Sequence, residues 1–197
     1  MSKGINSHNI MRLALGEQWQ ALPVALQAHY QDEDNRDIGE LTIEYPAWMQ
    51  LFLNLLHIMG ALLNRNVRHV PTVVHKTMDG ERQIWQRTIT LDENKNVYFK
   101  SHWVYAGQNK LVEYVNPMLG LCMSVNVVGE CLHYTGEYYV LRLGKLCIPI
   151  PEWLMLGHTT IVEQQSADSR FKMDFKLQHP LFGQVYRYSG EFTTVRI

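Results

Sequence analysis

The chain has little of what usually identifies a protein from its sequence. Its three cysteines in 197 residues, Cys122, Cys131 and Cys147, form no Cys-x-x-Cys and stand at no metal-ligand spacing to histidine. That excludes a disulfide framework and points to a reducing compartment. Neither sign of charge is in excess: 18 Lys and Arg face 19 Asp and Glu, for a net charge of −1. No bulk attraction to nucleic acid follows from that balance, and no local basic run supplies one. Met1 to Leu15 carries no continuous apolar core after a basic start and lacks the small-residue cleavage site of an export signal, so the expected location is cytoplasmic. The longest apolar run, Ala47 to Leu63, falls short of the about 20 residues that a spanning helix needs. Gln50, Asn54, His57 and Asn64 punctuate this region at helical spacings, forming one narrow polar stripe. We therefore expect no transmembrane span. The helix is expected to pack across a sheet or to meet a lipid or protein partner.

Catalytic signatures are missing too. No Gly-x-Gly-x-x-Gly lies between a strand and a helix, no Gly-x-Ser-x-Gly is present, and Ser124 and Ser189 fall inside extended runs. His57, His102, His133 and His158 are scattered, with no His-x-His or His-Glu-x-x-His, so neither a metal nor a cofactor is expected. Asp32 and Asp34 sit in an acidic loop, Gln31 to Asn35, and read as solvated charge. Cys122, between Leu121 and Met123, reads as a core residue.

What the chain does have is alternation. In Arg170 to His179 the positions Phe171, Met173, Phe175, Leu177 and His179 are apolar or aromatic, and those between them are polar, as in a strand with one wet face. After the turn at 179–183 the pattern resumes from Val185 to Val195, giving an antiparallel hairpin. A second hairpin is marked by Asp79-Gly80. A two-residue loop there sets Val74 opposite Trp85 and Thr72 opposite Arg87, and puts Trp85, Arg87, Ile89 and Leu91 on one face. Further strands are expected over 96–105, 110–115, 119–128 and 130–143, the last a long strand or a broken pair hinged near Gly136, with Pro149 and Pro151 demoting 148–151 to an edge or a connection. Before them, Met11 to Tyr30 has helical periodicity broken by Pro23, and a short strand is expected over 40–45. The expected class is α+β: one domain over 1–197, mainly helical over 1–66 and antiparallel β over 67–197. The expected architecture is a strongly curved sheet or partly open barrel of about nine strands covered by N-terminal helices.

Taken together, several short motifs resemble a bacterial family known as domain of unknown function 4166. They are Leu22-Pro23, Pro71-Thr72-Val73, the Trp85-x-Arg87 pair, Phe99, Leu111-Val112-Glu113 and Pro117. Further along stand Leu143-Gly144, Ile148-Pro149, Pro151, Glu163, His179-Pro180-Leu181 with Gly183, Arg187-Tyr188 and Gly190. The resemblance implies no activity. Family members often lie C-terminal to reductase-like or saccharopine-dehydrogenase-like domains, whose dinucleotide fingerprint this sequence does not carry.

The polar residues placed on apolar faces are Arg87, Glu113, Arg142, Glu163 and His179. A buried charge must be paired or solvated, so two readings stand side by side. Arg87 pairs with Glu113, or Arg142 with Glu163, as internal struts; or the arginines face a cavity and hold the anionic group of an amphipathic ligand. Trp85, Trp103, Tyr138 and Tyr188 would then help to line it, and His179 either bonds its turn or acts as a base. Arg187 has the opposite parity and is expected outside. Three functions follow: a module binding a hydrophobic or amphipathic small molecule in a sheet-lined cavity, an interaction domain using the helix over 47–63, or an enzyme on a lipid-like substrate with Glu113, Glu163 or His179 as acid or base.

Overall fold

The structure, a computed structural model, describes residues 9–31, 34–92 and 95–197. Asp32 of the acidic loop and the first eight residues of the chain lie outside these. Two short helices come first, α1 (Ile10–Leu15) and α2 (Val24–His29), separated by a 3-10 turn over Gly16–Ala21, with Pro23 breaking the path as expected. Asn9 caps α1 by accepting from the Arg12 amide at 2.8 Å.

The strands are β1 (Asn35–Glu44), β2 (Val67–Asp79), β3 (Arg82–Asp92), β4 (Lys95–Gly107), β5 (Lys110–Tyr114) and β6 (Leu119–Val128). They continue as β7 (Cys131–Leu143), β8 (Leu146–Pro151), β9 (His158–Ala167), β10 (Arg170–His179) and β11 (Gly183–Arg196). Pairing runs β6-β5-β4-β3-β2-β1-β11-β10-β9-β7, and β7 returns to β6, so ten strands close into an antiparallel barrel and β8 hangs outside on β7. Closure leaves no open edge within the ring. The first strand is longer than the expected 40–45 and begins at Asn35, inside the expected acidic loop.

Two local corrections to the expected register matter for the site. In the first hairpin the loop is Gly80-Glu81, with Gly80 at a positive φ of 60° and Asp79 opposite Arg82. Glycine at the first loop position is what a type II′ turn uses, whereas a loop at Asp79-Gly80 would need Asp79 at positive φ. The pairing slides by two residues, to Lys76 opposite Trp85 and Val74 opposite Arg87. Because the shift is even, the facing sets are unchanged, and Trp85, Arg87, Ile89 and Leu91 do share the interior face.

The second correction is a β-bulge in β7, where Met123 faces Gly136 but Cys122 faces Tyr138, leaving Glu137 extra. Leu132 and Tyr134 point inward before it, and Tyr139 after it. Tyr138, Val140 and Arg142 are thereby turned to the outside, where Tyr138 and Val140 join a small cluster with Val112, Tyr114 and Cys122. Arg142 is exposed over the Tyr114 ring. Simple parity cannot register an inserted residue.

Gly136 sits at this bulge for a steric reason. A Cβ there would lie 1.9 Å from Glu152 Oε1 and 2.8 Å from Thr159 Cβ, and the Glu152 carboxylate is fixed by the Thr159 amide at 2.9 Å. Gly136→Ala should therefore destabilise the fold by about 2 kcal/mol, through overpacking and a displaced hydrogen bond. Urea melts of this variant alone and combined with Glu152→Ala check the cause, since the second change should restore part of the loss.

The helices close the two ends of the barrel. Gln18 Oε1 accepts from the Val127 amide and Gln165 Oε1 from the Ala25 amide, so the N-terminal helices cover the end formed by the β6–β7 and β9–β10 turns. The opposite end is covered by the 3-10 turn Ala47–Met49, α3 (Gln50–Ile58) and the following segment to Leu63. Tyr186 donates to the Leu63 carbonyl and Asn116 to that of Met59. α3 is shorter than the apolar run from which it was read. Gln50, Asn54 and His57 of the expected polar stripe lie on α3, whereas Asn64 is beyond its end and folds back, so that Gln50 and Asn64 both donate to Asn54 Oδ1. Among the described residues no helix is long and apolar enough to cross a membrane.

Candidate functional site

Between the middle of the barrel and α3 lies a cavity of about 100 Å³. Its walls are Ile43, Ile89, Leu119, Leu121, Phe175 and Leu177, its outer cover is Leu56 with Ala61 to Leu63, and its floor is Arg87, Glu113 and Tyr188. Alternation produces this lining directly: Phe175 and Leu177 come from β10, Ile89 and Arg87 from β3, and Tyr188 from β11 opposite Phe175. Tyr188 stacks on Phe175 at 4.6 Å, and burial holds its phenol well above the ordinary tyrosine range.

The floor carries a compact polar group. Arg87 Nη2 donates to Glu113 Oε1 at 3.2 Å and Nη1 to Ser101 Oγ at 2.9 Å, while the Ser101 hydroxyl donates to the same Glu113 oxygen at 2.6 Å. The guanidinium also lies over the rings of Trp85 and Phe99. Both readings of Arg87 thus meet in one place: it is a strut paired with Glu113, and the pair lines the cavity, with side chains 13% and 12% exposed.

Beneath the floor, towards the N-terminal helices, is an array of ionisable groups sealed from solvent. Asp37 Oδ2 lies 2.8 Å from Lys76 Nζ and 2.9 Å from His29 Nδ1. Lys76 also lies 2.8 Å from His29 Nδ1 and donates to the His29 carbonyl. Across the imidazole, Nε2 faces Glu163 Oε1 at 3.9 Å. Glu163 Oε2 accepts from the Tyr30 hydroxyl at 2.6 Å, and the Tyr30 oxygen in turn accepts from the Tyr134 hydroxyl at 2.5 Å.

Burial dominates the protonation of this array. It lowers His29 to about 4 despite Asp37, so the imidazole is neutral at pH 7. Glu163 is raised to about 7 by the same desolvation, opposed by the Tyr30 hydrogen bond and Lys76. Lys76 is lowered by burial, opposed by Asp37. For Asp37, burial pulls upward, but His29 and Lys76 together hold its pKa well below the carboxylate range.

The sequence reading found only part of this. Glu163 was expected to meet Arg142 and instead meets Tyr30, because the bulge sends Arg142 outside. Asp37, Lys76 and His29 were missed. Lys76 was within reach, since it shares the inward parity of Val74, but lysine in a β-rich surface reads as wet. Trp85 and Trp103 stack at 5.2 Å as buried core, beside the array and off the cavity lining. His179 accepts from the Leu181 amide at 3.2 Å and stacks on Phe182, so it bonds its own turn and is not in the cavity wall. A further pair, unread in the sequence, joins His158 Nδ1 to buried Glu152 Oε2 at 2.6 Å. Arg187 is outside, bound through two nitrogens to Asp174. Among the described residues, no three histidine, cysteine or acidic side chains come together as metal ligands would.

A family model described as "Domain of unknown function (DUF4166)" matches residues 22–192. No curated protein matches the chain.

Proposed function

The chain belongs to the DUF4166 family, and from that premise we propose that it is a binding module which takes a slim hydrophobic or amphipathic molecule into the barrel. The observation that carries this reading is the contrast inside the cavity: aliphatic and aromatic walls leading to one fixed polar group, Arg87–Glu113–Ser101. A few convergent polar groups in an apolar pocket are the usual form of a small-molecule site. At about 100 Å³ the space is below the about 300 Å³ at which drug-sized pockets begin, so the guest is a single narrow chain and not a ring system. Wider guests require Leu56 and the segment to Leu63 to move.

The groups able to move protons support binding over catalysis. Of the three acids and bases expected, Glu113 alone lines the cavity, and its carboxylate is engaged by Arg87 and Ser101; Glu163 lies behind the floor with His29, and His179 holds a turn. An acid or base must come within about 3 Å of the proton it transfers.

Glu113 also sets the head-group preference. Its carboxylate already offsets the guanidinium, so a neutral hydroxyl head is favoured over a second carboxylate. In displacement titrations a short-chain alkanol should bind the wild type more tightly than the matching alkanoate, by about tenfold, roughly the worth of one hydrogen bond to a charged group. Glu113→Gln should reverse the order by leaving Arg87 unneutralised. Native mass spectrometry of the purified protein should show a co-purified amphiphile. Absence of any adduct, with no displacement by either probe, would remove the binding reading.

A further inference from the structure

We propose that the α3 end of the barrel docks on the surface of a lipid bilayer that contains anionic lipid, with the outward side of α3 and the β10–β11 turn as the apolar contact. The inference rests on the binding reading for its purpose, since it brings the cover of the cavity to a source of amphiphiles.

α3 carries more apolar surface than it buries. Its polar residues Gln50, Asn54 and His57 are exposed and bonded along the helix and to the segment after it, Gln50 accepting from Tyr45 and donating to Asn54 and to the Asn64 carbonyl. Leu53 and Leu56 are buried beneath it. Beside that polar stripe Leu51, Leu55 and Ile58 are also exposed, at spacings of four and three, with Leu51 81% and Ile58 83% exposed. The apolar surface continues through Trp48, whose ring meets Phe182 at 5.2 Å, to the exposed Leu181 beside it. Exposed large side chains grouped in this way mark an interaction surface.

Charge selects the occupant. Exposed Arg65 and Lys95 line a depression of about 310 Å³ together with His57 of α3, beside the apolar face. Cations flanking an outward apolar helix are what the headgroup layer of an anionic membrane attracts. Continuity with the cavity points the same way, because Leu56 of this helix, and Leu62 and Leu63 after it, form the cavity cover. A guest leaving the acyl layer would thus pass from one apolar surface to another.

Co-sedimentation tests this with vesicles of phosphatidylcholine, with and without phosphatidylglycerol. The protein should pellet with the phosphatidylglycerol vesicles and release as salt is raised. Leu51→Ser with Ile58→Ser should weaken pelleting at least tenfold. Arg65→Glu with Lys95→Glu should erase the preference for phosphatidylglycerol. All four positions are exposed, so thermal melts of both variants should match the wild type. Leu51 and Ile58 are not cavity walls, so alkanol displacement without vesicles should be unchanged. Ligand binding without pelleting overturns the docking alone, and pelleting without ligand binding overturns the cavity reading alone. Equal pelleting with both vesicle types overturns the anionic preference. A dimer in analytical ultracentrifugation that dissociates in the Leu51→Ser, Ile58→Ser variant, with no pelleting, overturns docking and assigns the face to a second copy of the chain.

Discussion

Replacing Lys76 by methionine should cost about 3–5 kcal/mol of stability, a large part of the about 5–15 kcal/mol that holds a domain of this size. Lys76 and Asp37 are each 1% exposed, and the ammonium is the only full positive charge against the Asp37 carboxylate, because burial keeps His29 neutral. Methionine fills most of the lysine volume, so the loss comes from the stranded charge and not from a cavity. The diagnostic is recovery. In the double variant Lys76→Met, Asp37→Asn, the amide at position 37 still accepts from Thr194, as Asp37 Oδ1 does at 2.7 Å, and can donate to His29 Nδ1. Much of the stability should return. Guanidinium melts with unchanged slope check both variants; a single-variant loss below about 1 kcal/mol would mean that water reaches Asp37 after all.

How much of this was legible can be seen strand by strand. Phe171, Phe175 and Leu177 are buried as the alternation of β10 requires, with Lys172 outside, because a strand with one dry face carries its register in every second residue. The closed barrel follows from such strands, but closure itself was not readable: it needs β1 to pair with β11 at the far end of the chain, and β7 to meet β9 through Cys131 to Thr135 alone. The bulge at Glu137 reversed the assignment of Tyr138 and Arg142, since one inserted residue inverts every later side chain. Trp85 and Arg87 fall on the interior face as read, because Asp79-Gly80 fixes the parity of β3 even when the loop is displaced by one residue, although Trp85 lies in the core and off the cavity. The sealed array stayed hidden for a different reason. Nothing in a sequence distinguishes an inward lysine that meets a partner from an outward one that meets water, and the partner here, His29, comes from a helix that crosses the barrel end.

The array should also leave a signature in the pH dependence of stability that is nearly silent in the wild type and appears on mutation. His29 falls from 6.5 to about 4 on folding, so between those values the unfolded chain binds the extra proton and stability rises with pH. Glu163 rises from 4.5 to about 7, so over that window the folded chain binds the extra proton and stability falls with pH. Each slope is about 1.4 kcal/mol per pH unit, and they oppose each other where the windows overlap. Folding moves one proton from the imidazole to the carboxyl without changing the total. In Glu163→Gln, which keeps an acceptor for Tyr30, only the histidine contribution remains. Stability should then climb by about 3 kcal/mol between pH 4 and 6.5. In His29→Gln it should fall by a similar amount between pH 4.5 and 7. Below both windows every version loses stability as Asp37, held low by His29 and Lys76, takes up its proton. Urea midpoints across this range decide the matter: opposite slopes in the two variants locate the shared proton on Glu163, while two variants parallel to the wild type would show that neither group changes its affinity on folding.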